Sequence, residues 1–520
     1  MVPFGRKLPI GIQTFSDIRT QGYLYVDKTD LVWQIANVGK PYFLSRPRRF
    51  GKSLLISTFE AYFEGKKELF EGLAIEKLED KWEKYPVLHM DLNARRYECA
   101  DDLIAMLNQF LEKWEAIYGT EKQDRAPEER FGYVIQKAYE KTGKGVVVLI
   151  DEYDKPLLQA LHNDELLEAY RIILKAFYGT LKSNDSCLRF AFLTGVTKFS
   201  QVSVFSDLNQ LNDISLSKAY ATICGLTKQE LLDNFQPELQ ALAEECEQTF
   251  EETVETMTQQ YDGYHFHPQG AGMFNPFSVL NAFDKQEFGN YWFQTGTPTF
   301  LVKSLQKADY DLRTLIDGVE ASAITFTEYR AETDNPIPLI YQSGYLTIKD
   351  FDKEFKIYTL GFPNDEVRYG FLNFLVPYYT PITDDKKNFH IGRFVQELRK
   401  GEIDAFMQRF EAFFADFPYE LNDKTERHYQ VVVYLIFKLM GQFTQAEVRS
   451  AKGRADAIVQ TPNYVYVFEF KLNGTAEEAL QQINEQGYAK PFMADSRQVL
   501  KVGVEFSAEI RNVKRWLVEE

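Results

Sequence analysis

The sequence has little cysteine, no long apolar run and no excess of positive charge, and each shortage excludes a class of protein. Its four cysteines among 520 residues are scattered, without a CxxC pair or a Cys/His ligand spacing. A disulfide framework or a structural zinc site is therefore not expected. No apolar run approaches the roughly 18 residues that span a bilayer, and the first residues show no secretory signal. We therefore expect a cytoplasmic protein without a membrane partner.

Charge is distributed unevenly along the chain. Lys and Arg total 59, Asp and Glu total 76, and the net charge is −17. Residues 421–520 carry 13 charges of each sign, so the whole imbalance lies in the first 420 residues. A basic footprint typical of nucleic-acid-binding proteins is therefore absent overall. The C-terminal hundred residues are the part that a polyanion repels least.

The first third of the sequence alternates short apolar runs with long amphipathic stretches. Such runs predict parallel strands buried on both faces of a sheet, and hence an α/β domain. Residues 227–283 follow as a mainly helical stretch that opens with a capping box. Residues 285–390 are mixed, and the polar run 381–388 predicts a turn-rich linker. The apolar runs are residues 41–44, 86–91, 146–150 and 189–193.

A phosphate-binding loop is predicted between the first strand and the helix that follows it. Gly51, Lys52 and Ser53 form the end of a Walker A pattern. Backbone N–H groups at a helix N-terminus bind phosphate oxygens, the Lys reaches the β- and γ-phosphates of ATP, and the Ser hydroxyl binds Mg²⁺. Arg46 stands where the full pattern has its first glycine, and Pro47 removes one backbone donor. The alternative is a surface loop with a helix-starting serine.

A second motif favours nucleotide binding. The apolar run 146–150 ends in Asp151 and Glu152, as a Walker B strand does. Asp151 would hold Mg²⁺, and Glu152 would polarise the attacking water. Thr194 ends the next strand and is either a γ-phosphate sensor or an ordinary turn residue. Three further residues either stabilise phosphate charge or form a solvated basic loop: Arg46, Arg48 and Arg49.

The C-terminal region contains two acids and a lysine in strand-like segments. Glu469 and Lys471 are two residues apart and therefore share one face of a strand. Asp456 lies on the preceding segment and is expected to face them across a hairpin. Two carboxylates bind Mg²⁺, and a neighbouring Lys stabilises developing charge, which suits phosphodiester cleavage. Glu426 on an upstream helix could add a metal contact, and Gln482 on a downstream helix could orient water or phosphate.

The alternative for this segment is a solvent-facing E-x-K on an edge strand. The neighbours of Glu469 and Lys471 are apolar, so the strand is expected to be buried on at least one face. Charges on a buried strand are costly unless they are paired or bind metal. The pattern therefore favours a metal site.

Several segments resemble the AAA-ATPase-like family of bacterial proteins. They are LPIGIQTFSDIRTQGYLYVDKT (8–29), RPRRFGKSLL (46–55), VLIDEYDKPL (148–157) and TGVTKFSQVSVFSDLNQL (194–211). The Arg46 form of the loop is itself typical of that family. A further motif, 261–267, includes His265 and His267. An aromatic turn against the ATPase domain is favoured there over a metal site.

The C-terminal segments GRADAIV, FEFKL and EEALQQINEQGYAKPF resemble the PD-(D/E)XK nuclease-like domain that is usually fused to that family. Ala455 stands where the motif name expects Pro. The resemblance implies a P-loop fold followed by a restriction-endonuclease-like fold. It assigns Lys52, Ser53 and Asp151 to ATP and Mg²⁺. The nuclease core would be Asp456, Glu469 and Lys471, with Glu426 and Gln482 as further site residues.

The sequence thus predicts a P-loop domain at 1–225, a helical and mixed lid or linker region at 226–390, and a nuclease-like α/β domain at 391–520. The predicted cofactors are ATP and Mg²⁺, and the predicted partner of the C-terminal domain is nucleic acid, with DNA favoured. We expect an ATPase that gates a Mg²⁺-dependent nuclease. Two alternatives stay open: a nucleotide-dependent switch whose nuclease-like domain is inactive, and an ATPase with a structural C-terminal domain. Whether the chain forms a homo-oligomer is also open.

Overall fold

The structure is a computed structural model, and it describes most of the chain. The described residues are 6–39, 41–120, 124–161, 163–199, 211–293, 301, 304–305, 310, 312–329, 335–379, 384–415, 426–441, 444–448, 455–472, 474–507, 509–510 and 512–520.

The chain divides into two compact units. The first consists of Met1–Tyr310 and Gly318–Val367, and the second consists of Asp311–Asp317 and Arg368–Glu520. The polypeptide therefore passes between the units three times, at 310/311, 317/318 and 367/368. The domain limits predicted from the sequence, at 225/226 and 390/391, stay predictions.

The first unit is built on a five-stranded parallel sheet with the strand order β2-β3-β4-β1-β5. Every residue of β3 is buried, because the continuous apolar run lies between helices packed on the two faces of the sheet. The carboxyl ends of parallel strands meet at one edge, where ligands of such sheets bind. The strands are β1 Tyr42–Ser45, β2 Val87–Asp91, β3 Val146–Asp151, β4 Leu188–Gly195 and β5 Asn212–Asp213.

Seven α-helices of the described residues belong to the same part of the chain as this sheet. The helix after β1 begins at Lys52 with Gly51 as its N-cap, so the phosphate-loop motif lies at a helix N-terminus as predicted. The helices are α1 Phe15–Thr20, α2 Thr29–Val38, α3 Lys52–Phe63, α4 Ala100–Tyr118, α5 Pro127–Thr142, α6 Lys155–Gln159 and α7 Asp164–Ser183.

The middle of the chain adds a helical cluster and a small antiparallel sheet to the first unit. The capping box predicted at Thr227 is confirmed, since its hydroxyl accepts the N–H of Glu230. The helices are α8 Lys228–Asn234, α9 Gln236–Glu245, α10 Phe250–Tyr261, α11 Pro276–Lys285, α13 Ala323–Thr327 and α14 Ile337–Gln342. The strands are the β6–β7 pair, Leu226–Thr227 and Met273–Phe274, and the sheet β8-β10-β9 of Val319–Ser322, Ile357–Gly361 and Thr347–Asp352.

The second unit contains a mixed five-stranded sheet with the order β11-β12-β13-β14-β15. In this sheet only the β13–β14 pair is parallel. Its strands are β11 Gln445–Val448, β12 Ala457–Gln460, β13 Tyr464–Leu472, β14 Gln498–Ser507 and β15 Asn512–Glu519. Its helices are α12 Leu312–Asp317, α16 Asp384–Lys400, α17 Ile403–Ala415, α18 Glu426–Met440 and α19 Ala476–Gln486. Helix α15, Asp365–Tyr379, begins in the first unit and ends in the second.

The predicted fold class is confirmed: a parallel α/β domain, a helical and mixed middle and a C-terminal mixed sheet follow one another. The turn-rich linker predicted at 381–388 is wrong for its second half, because α16 begins at Asp384. Its polar residues lie at the start of an amphipathic helix, where polarity does not break the helix. Residues 381–383 lie outside the described part. No helix in the described ranges combines the length and apolarity that a bilayer crossing requires.

Candidate functional site

The phosphate loop joins β1 to α3 and ends in a left-handed turn. Gly51 has a φ angle of +91°, a backbone conformation that is strained for any residue with a side chain. Arg49 also has a positive φ, of 66°. Because non-glycine residues with positive φ are uncommon and cluster at functional sites, the loop geometry fits a binding role.

Lys52 is almost completely buried at the start of α3. Its Nζ donates to the carbonyl oxygens of Arg46 and Pro47 at 3.2 and 3.3 Å and lies 3.4 Å from Glu152 Oε1. The structure thus brings together the lysine of the first motif and the glutamate of the second. A phosphate anion would offer Lys52 a stronger acceptor than the two carbonyls do.

The carboxyl ends of β2, β3 and β4 place polar groups along the same edge. Asp91 and Asp151 are register partners across β2 and β3. Asp151 Oδ1 accepts the Thr194 hydroxyl at 2.6 Å and the backbone N–H of Glu152 at 3.0 Å. Burial, then the charges of Asp151 and Glu152, raises the pKa of Asp91. This edge therefore concentrates negative charge that a divalent cation would neutralise.

Asp154, which the sequence reasoning did not select, fixes the segment after β4. Its carboxylate accepts the N–H groups of Val196 and Thr197, the latter at 2.6 Å. A side chain on Gly195 would lie 2.4 Å from Asp154 Oδ1, so glycine is required there. Burial, then the charge of Glu152, raises the pKa of Asp154 to about 7.

A cavity of about 470 Å³ opens beside the phosphate loop, within the ~300–1,000 Å³ typical of small-molecule sites. Five residues that the sequence analysis assigned to the ATP site line it: Arg49, Gly51, Lys52, Ser53 and Glu152. Asp91 and Asn93 line it too and were missed. The signal for Asp91 was in the sequence, since it ends an apolar strand as Asp151 does. The remaining wall is mainly apolar and includes Ile12, Tyr25, Ile223, Phe235, Phe277 and Leu280.

Three predicted nucleotide-site residues do not line this cavity. The Asp151 carboxylate accepts a hydrogen bond from the Thr194 hydroxyl at the edge of the sheet, and neither residue lines the cavity. The Arg46 side chain lies elsewhere and bonds to three backbone carbonyls. By contrast, the Arg49 guanidinium lies 4.9 Å from the Phe277 ring at the cavity wall. Only the backbone of Arg46 therefore meets Lys52.

The aromatic turn predicted at 261–267 packs on the phosphate loop. The Phe50 ring lies edge-to-face with Tyr264 at 4.7 Å and with Phe266 at 5.4 Å. Pairs of this geometry stabilise an interface beyond their buried area. The packing interpretation of this motif is confirmed.

The second set of predicted residues converges in the C-terminal unit. The Asp456 carboxylate accepts the backbone N–H of Phe470 at 2.9 Å, which holds it beside Glu469. Glu469 Oε1 lies 3.0 Å from Lys471 Nζ, and Lys471 Nζ also donates to Gln482 Oε1. Four of the predicted residues, Asp456, Glu469, Lys471 and Gln482, therefore form one contiguous group.

Strand β13 is buried on both faces, which decides where these groups point. Phe468 and Phe470 pack on one face, against Phe437 of α18. Glu469 and Lys471 project from the other face, towards Gln482 of α19. Gly503 of β14 is the register partner of Glu469. A Cβ atom at residue 503 would lie 2.4 Å from the carbonyl oxygen of Ala476. The missing side chain at 503 lets α19 approach the sheet.

The electrostatics of this group fit a divalent cation. Glu469 is 2 % exposed, and its Oε2 has no hydrogen-bond partner among the described residues. Burial, then the charge of Asp456, raises the pKa of Glu469 to about 7 against the lowering effect of Lys471. Burial likewise raises the pKa of Asp456. An orphaned buried carboxylate oxygen beside a second carboxylate needs a cation or a proton.

Few protein side chains in this C-terminal group are available as metal ligands. Across the described ranges, no group of three His, Cys, Asp or Glu side chains is arranged to hold a metal ion. Two carboxylates suffice for Mg²⁺, which usually takes its other ligands from water and substrate phosphate. Glu426 is the first residue of α18, but its side chain lies outside the described part, so its metal contact stays a prediction.

The fold and the two sites define a protein with a P-loop ATPase-like domain and a PD-(D/E)XK nuclease-like domain. A family model described as "Predicted AAA-ATPase" matches residues 9–205, and one described as "PD-(D/E)XK nuclease superfamily" matches residues 424–516. The chain is 36% identical over 530 residues, covering 99% of both chains, to "Uncharacterized protein in vnfD 5'region" of Azotobacter chroococcum mcd 1. The chain belongs to the family of AAA-ATPase-like proteins that carry a C-terminal PD-(D/E)XK nuclease-superfamily domain.

Proposed function

We propose that the C-terminal unit hydrolyses phosphodiester bonds of nucleic acid, with DNA favoured, in a Mg²⁺-dependent reaction that the ATPase domain controls. The observation that carries this proposal is the group of Asp456, Glu469, Lys471 and Gln482, with its orphaned buried carboxylate oxygen. Keeping such an arrangement without a ligand costs stability, and this is typical of functional sites. We further propose a cytoplasmic location.

The residues divide the work by their chemistry. Asp456 and Glu469 would hold Mg²⁺, which supplies Lewis-acid polarisation of the phosphate when bound. Lys471 is placed by Glu469 and Gln482, so its ammonium group can stabilise the charge that develops on the phosphate oxygens. Gln482 also donates to the Tyr488 hydroxyl at 3.3 Å, which orients its amide oxygen towards Lys471.

In the ATPase domain we propose that the phosphates lie at Lys52 and Ser53 and the nucleoside against the apolar cavity wall. Glu152 is close enough to Lys52 to lie beside the γ-phosphate, where it would orient the attacking water. Asp151 and Asp91 would hold Mg²⁺ directly or through water. Thr194 would act through its bond to Asp151.

Control of the nuclease is supported by a chain of contacts that leads away from the phosphate loop. The carbonyl of Arg48 accepts the indole N–H of Trp292 at 3.1 Å. The backbone N–H of Trp292 donates to Glu366 Oε1 at 2.7 Å, and the Ser278 hydroxyl donates to Glu366 Oε2 at 2.7 Å. Glu366 is the second residue of α15, the helix that continues into the second unit. A loop movement at Arg48 would therefore act on this helix.

A second connection begins at Asp317, the last residue of α12. Its carboxylate accepts the Tyr434 hydroxyl at 2.5 Å and pairs with Lys438 at 3.1 Å. Both partners lie on α18, the helix that begins at Glu426. Gly318, with φ +121°, joins α12 directly to β8 of the first unit. At Gly318 the chain passes from the second unit back to the first.

Glu366 provides a prediction about pH. Burial raises the pKa of Glu366 to about 7, above the ordinary value, so its protonated form contributes stability at acid pH that is lost as the pH rises through about 7. Glu366→Gln stays neutral and keeps an acceptor for Trp292. As the pH rises from 5 to 8, we expect the free energy of unfolding of the variant to increase relative to that of the wild type. The increase is at most about 3 kcal/mol, because each unit of pKa shift corresponds to roughly 1.4 kcal/mol.

Denaturant unfolding of both proteins at several pH values measures this difference. Glu115→Gln is the matched control, because Glu115 is a buried acid of the same unit whose carboxylate pairs with Arg130 at 2.7 Å. A stability difference between Glu366→Gln and wild type that does not change with pH would contradict the prediction.

The function itself is tested with purified full-length protein on plasmid DNA, single-stranded DNA and RNA. We expect cleavage with Mg²⁺, none with Ca²⁺, and a change of about fivefold or more between ATP and no nucleotide, the usual scale of coupled sites. ATP turnover without cleavage of any substrate would support a nucleotide switch with an inactive nuclease-like domain instead. Cleavage that ignores nucleotide would refute the proposed control.

A further inference from the structure

Glu152, the residue proposed to orient the attacking water, has a strained backbone. Its φ angle is +51°, in the left-handed region that few residues other than glycine adopt. Such a conformation persists only where the surrounding structure holds it in place. Glu152 lines the nucleotide cavity, and its carboxylate lies 3.4 Å from Lys52 Nζ. The contacts that hold this backbone therefore help to keep the carboxylate at the nucleotide site.

Tyr153, the next residue, is completely buried and contacts residues 196–199, which follow β4 and are called the post-β4 segment below. The hydroxyl of Tyr153 donates to the carbonyl of Thr197 at 2.8 Å and accepts the N–H of Phe199 at 3.1 Å. The backbone N–H of Tyr153 donates to the carbonyl of Thr194, near the end of β4, at 2.9 Å. Tyr153 therefore ties the chain after β3 both to the end of β4 and to the post-β4 segment.

Asp154 is a second attachment to the same segment. Its side chain is completely buried, and Oδ2 accepts the N–H groups of Val196 at 3.1 Å and Thr197 at 2.6 Å. Gly195 leaves space for this contact, because a Cβ atom there would lie 2.4 Å from Asp154 Oδ1 and 2.6 Å from the Tyr153 ring. Val196 also lines the nucleotide cavity, whereas Asp154 does not.

The post-β4 segment is itself anchored to the middle of the chain, within the first unit. The N–H of Lys198 donates to Gln342 Oε1 of α14 at 2.6 Å, and its carbonyl accepts the N–H of Tyr329 at 3.0 Å. Gln342 Nε2 in turn donates to the carbonyl of Phe326, in α13, at 3.0 Å. The segment that holds the residues after Glu152 is therefore a fixed support.

We propose that Asp154 is a positioning residue for ATP hydrolysis, which together with Tyr153 holds Glu152 in the conformation that orients the attacking water. Both residues bond to the post-β4 segment, so the chain directly after Glu152 is fastened at two neighbouring points. Asp154 lies outside the cavity lining and acts through Glu152. The inference rests on the proposed function, because it concerns the turnover of ATP at the same site.

The test compares ATP turnover and nucleotide affinity in purified full-length variants. Asp154→Ala removes the acceptor of two N–H groups, whereas Asp154→Asn keeps a carbonyl oxygen for them. We expect the turnover number to fall about tenfold or more in Asp154→Ala and to stay within about threefold of wild type in Asp154→Asn. Calorimetric affinity for a non-hydrolysable ATP analogue should be unchanged in both, because the phosphates are held by Lys52 and Ser53. A role limited to fold stability would not separate turnover from affinity.

Tyr153→Phe keeps the proposal testable if Asp154→Ala does not fold. The variant keeps the ring and removes the hydroxyl that bonds to Thr197 and Phe199. We expect turnover to fall about fivefold, the scale of a hydrogen bond. In a Glu152→Gln background, Tyr153→Phe should have no further effect on turnover, because residues that act through one another are not additive.

Asp102→Ala is the matched control. The Asp102 carboxylate also accepts two backbone N–H groups in the first unit, those of Glu98 and Cys99, and it does not line the nucleotide cavity. This variant should lose stability and keep its turnover.

Wild-type turnover in folded Asp154→Ala or Tyr153→Phe overturns the proposal. So does an effect of Tyr153→Phe that is as large in Glu152→Gln as in wild type. A wild-type protein that binds the analogue without any ATP turnover refutes the proposed hydrolysis itself, and this inference with it.

Discussion

Substitution of Glu469 by glutamine is expected to reduce Mg²⁺-dependent cleavage of nucleic acid about a thousandfold, because a catalytic metal contributes several kcal/mol and each 1.4 kcal/mol is a factor of ten. Glutamine keeps the shape of the side chain and removes the negative charge beside Asp456. Since burial raises the pKa of Glu469 to about 7, the ionised form destabilises the fold above that pH. The variant should therefore be at least as stable as wild type at pH 8.

Cleavage rates and unfolding curves of the same preparations separate lost chemistry from lost folding. Glu397→Gln is the matched control, because Glu397 is a buried acid of the same unit that pairs with Arg409 at 2.6 Å. It should retain cleavage. Binding of Mn²⁺, measured by calorimetry, should be lost in Glu469→Gln and kept in the control. Wild-type cleavage by a stable Glu469→Gln protein would remove the nuclease proposal.

Replacement of Lys52 by alanine is expected to have the second large effect. The phosphate-loop motif assigns its Nζ to the γ-phosphate, so we expect ATP turnover to fall at least about a hundredfold, the scale of losing one preorganised charge-stabilising donor. Affinity for ATP should fall as well, because a charge-assisted hydrogen bond contributes about 1.5–3 kcal/mol. Turnover and nucleotide binding by calorimetry measure the two effects.

The same variant tests control of the nuclease. In Lys52→Ala, cleavage should no longer respond to ATP, while cleavage without nucleotide persists at the C-terminal site. Lys144→Ala is the control, since Lys144 is an exposed lysine of the same unit that pairs with Glu83 at 3.0 Å. An undiminished response to ATP in Lys52→Ala would show that the phosphate loop does not control the nuclease.

Local motifs were well predicted because their geometry depends on neighbours in sequence. A strand, a loop and a helix start specify where Lys52 lies, and alternation along a strand places Glu469 and Lys471 on one face. The linker prediction at 381–388 was wrong from Asp384 onwards because the helix there depends on residues outside the polar run. Its residues carry turn composition, but the helix that begins at Asp384 is stabilised by apolar residues further along, such as Phe394 and Leu398.

The direction of the Arg46 side chain could not be read from the motif. The sequence places Arg46 in the loop, and a loop residue can turn either way. Packing against Phe266 and bonds to the carbonyls of Ser215 and Tyr220 turn it away from the nucleotide cavity. These partners lie about 170 to 220 residues further along the chain, beyond the reach of any local pattern.

By itself the sequence determined the family, the order of the folds and the two sets of charged residues, because each is encoded in short segments whose spacing fixes local geometry. The tertiary structure decided which of those residues meet. Strand order brought Asp91 to Asp151, and Gly503 let α19 carry Gln482 to Lys471. Residues 311–317 belong to the second unit, where Asp317 bonds to α18. Such contacts depend on how distant segments pack, which is decided by the sum of many burial energies across the core.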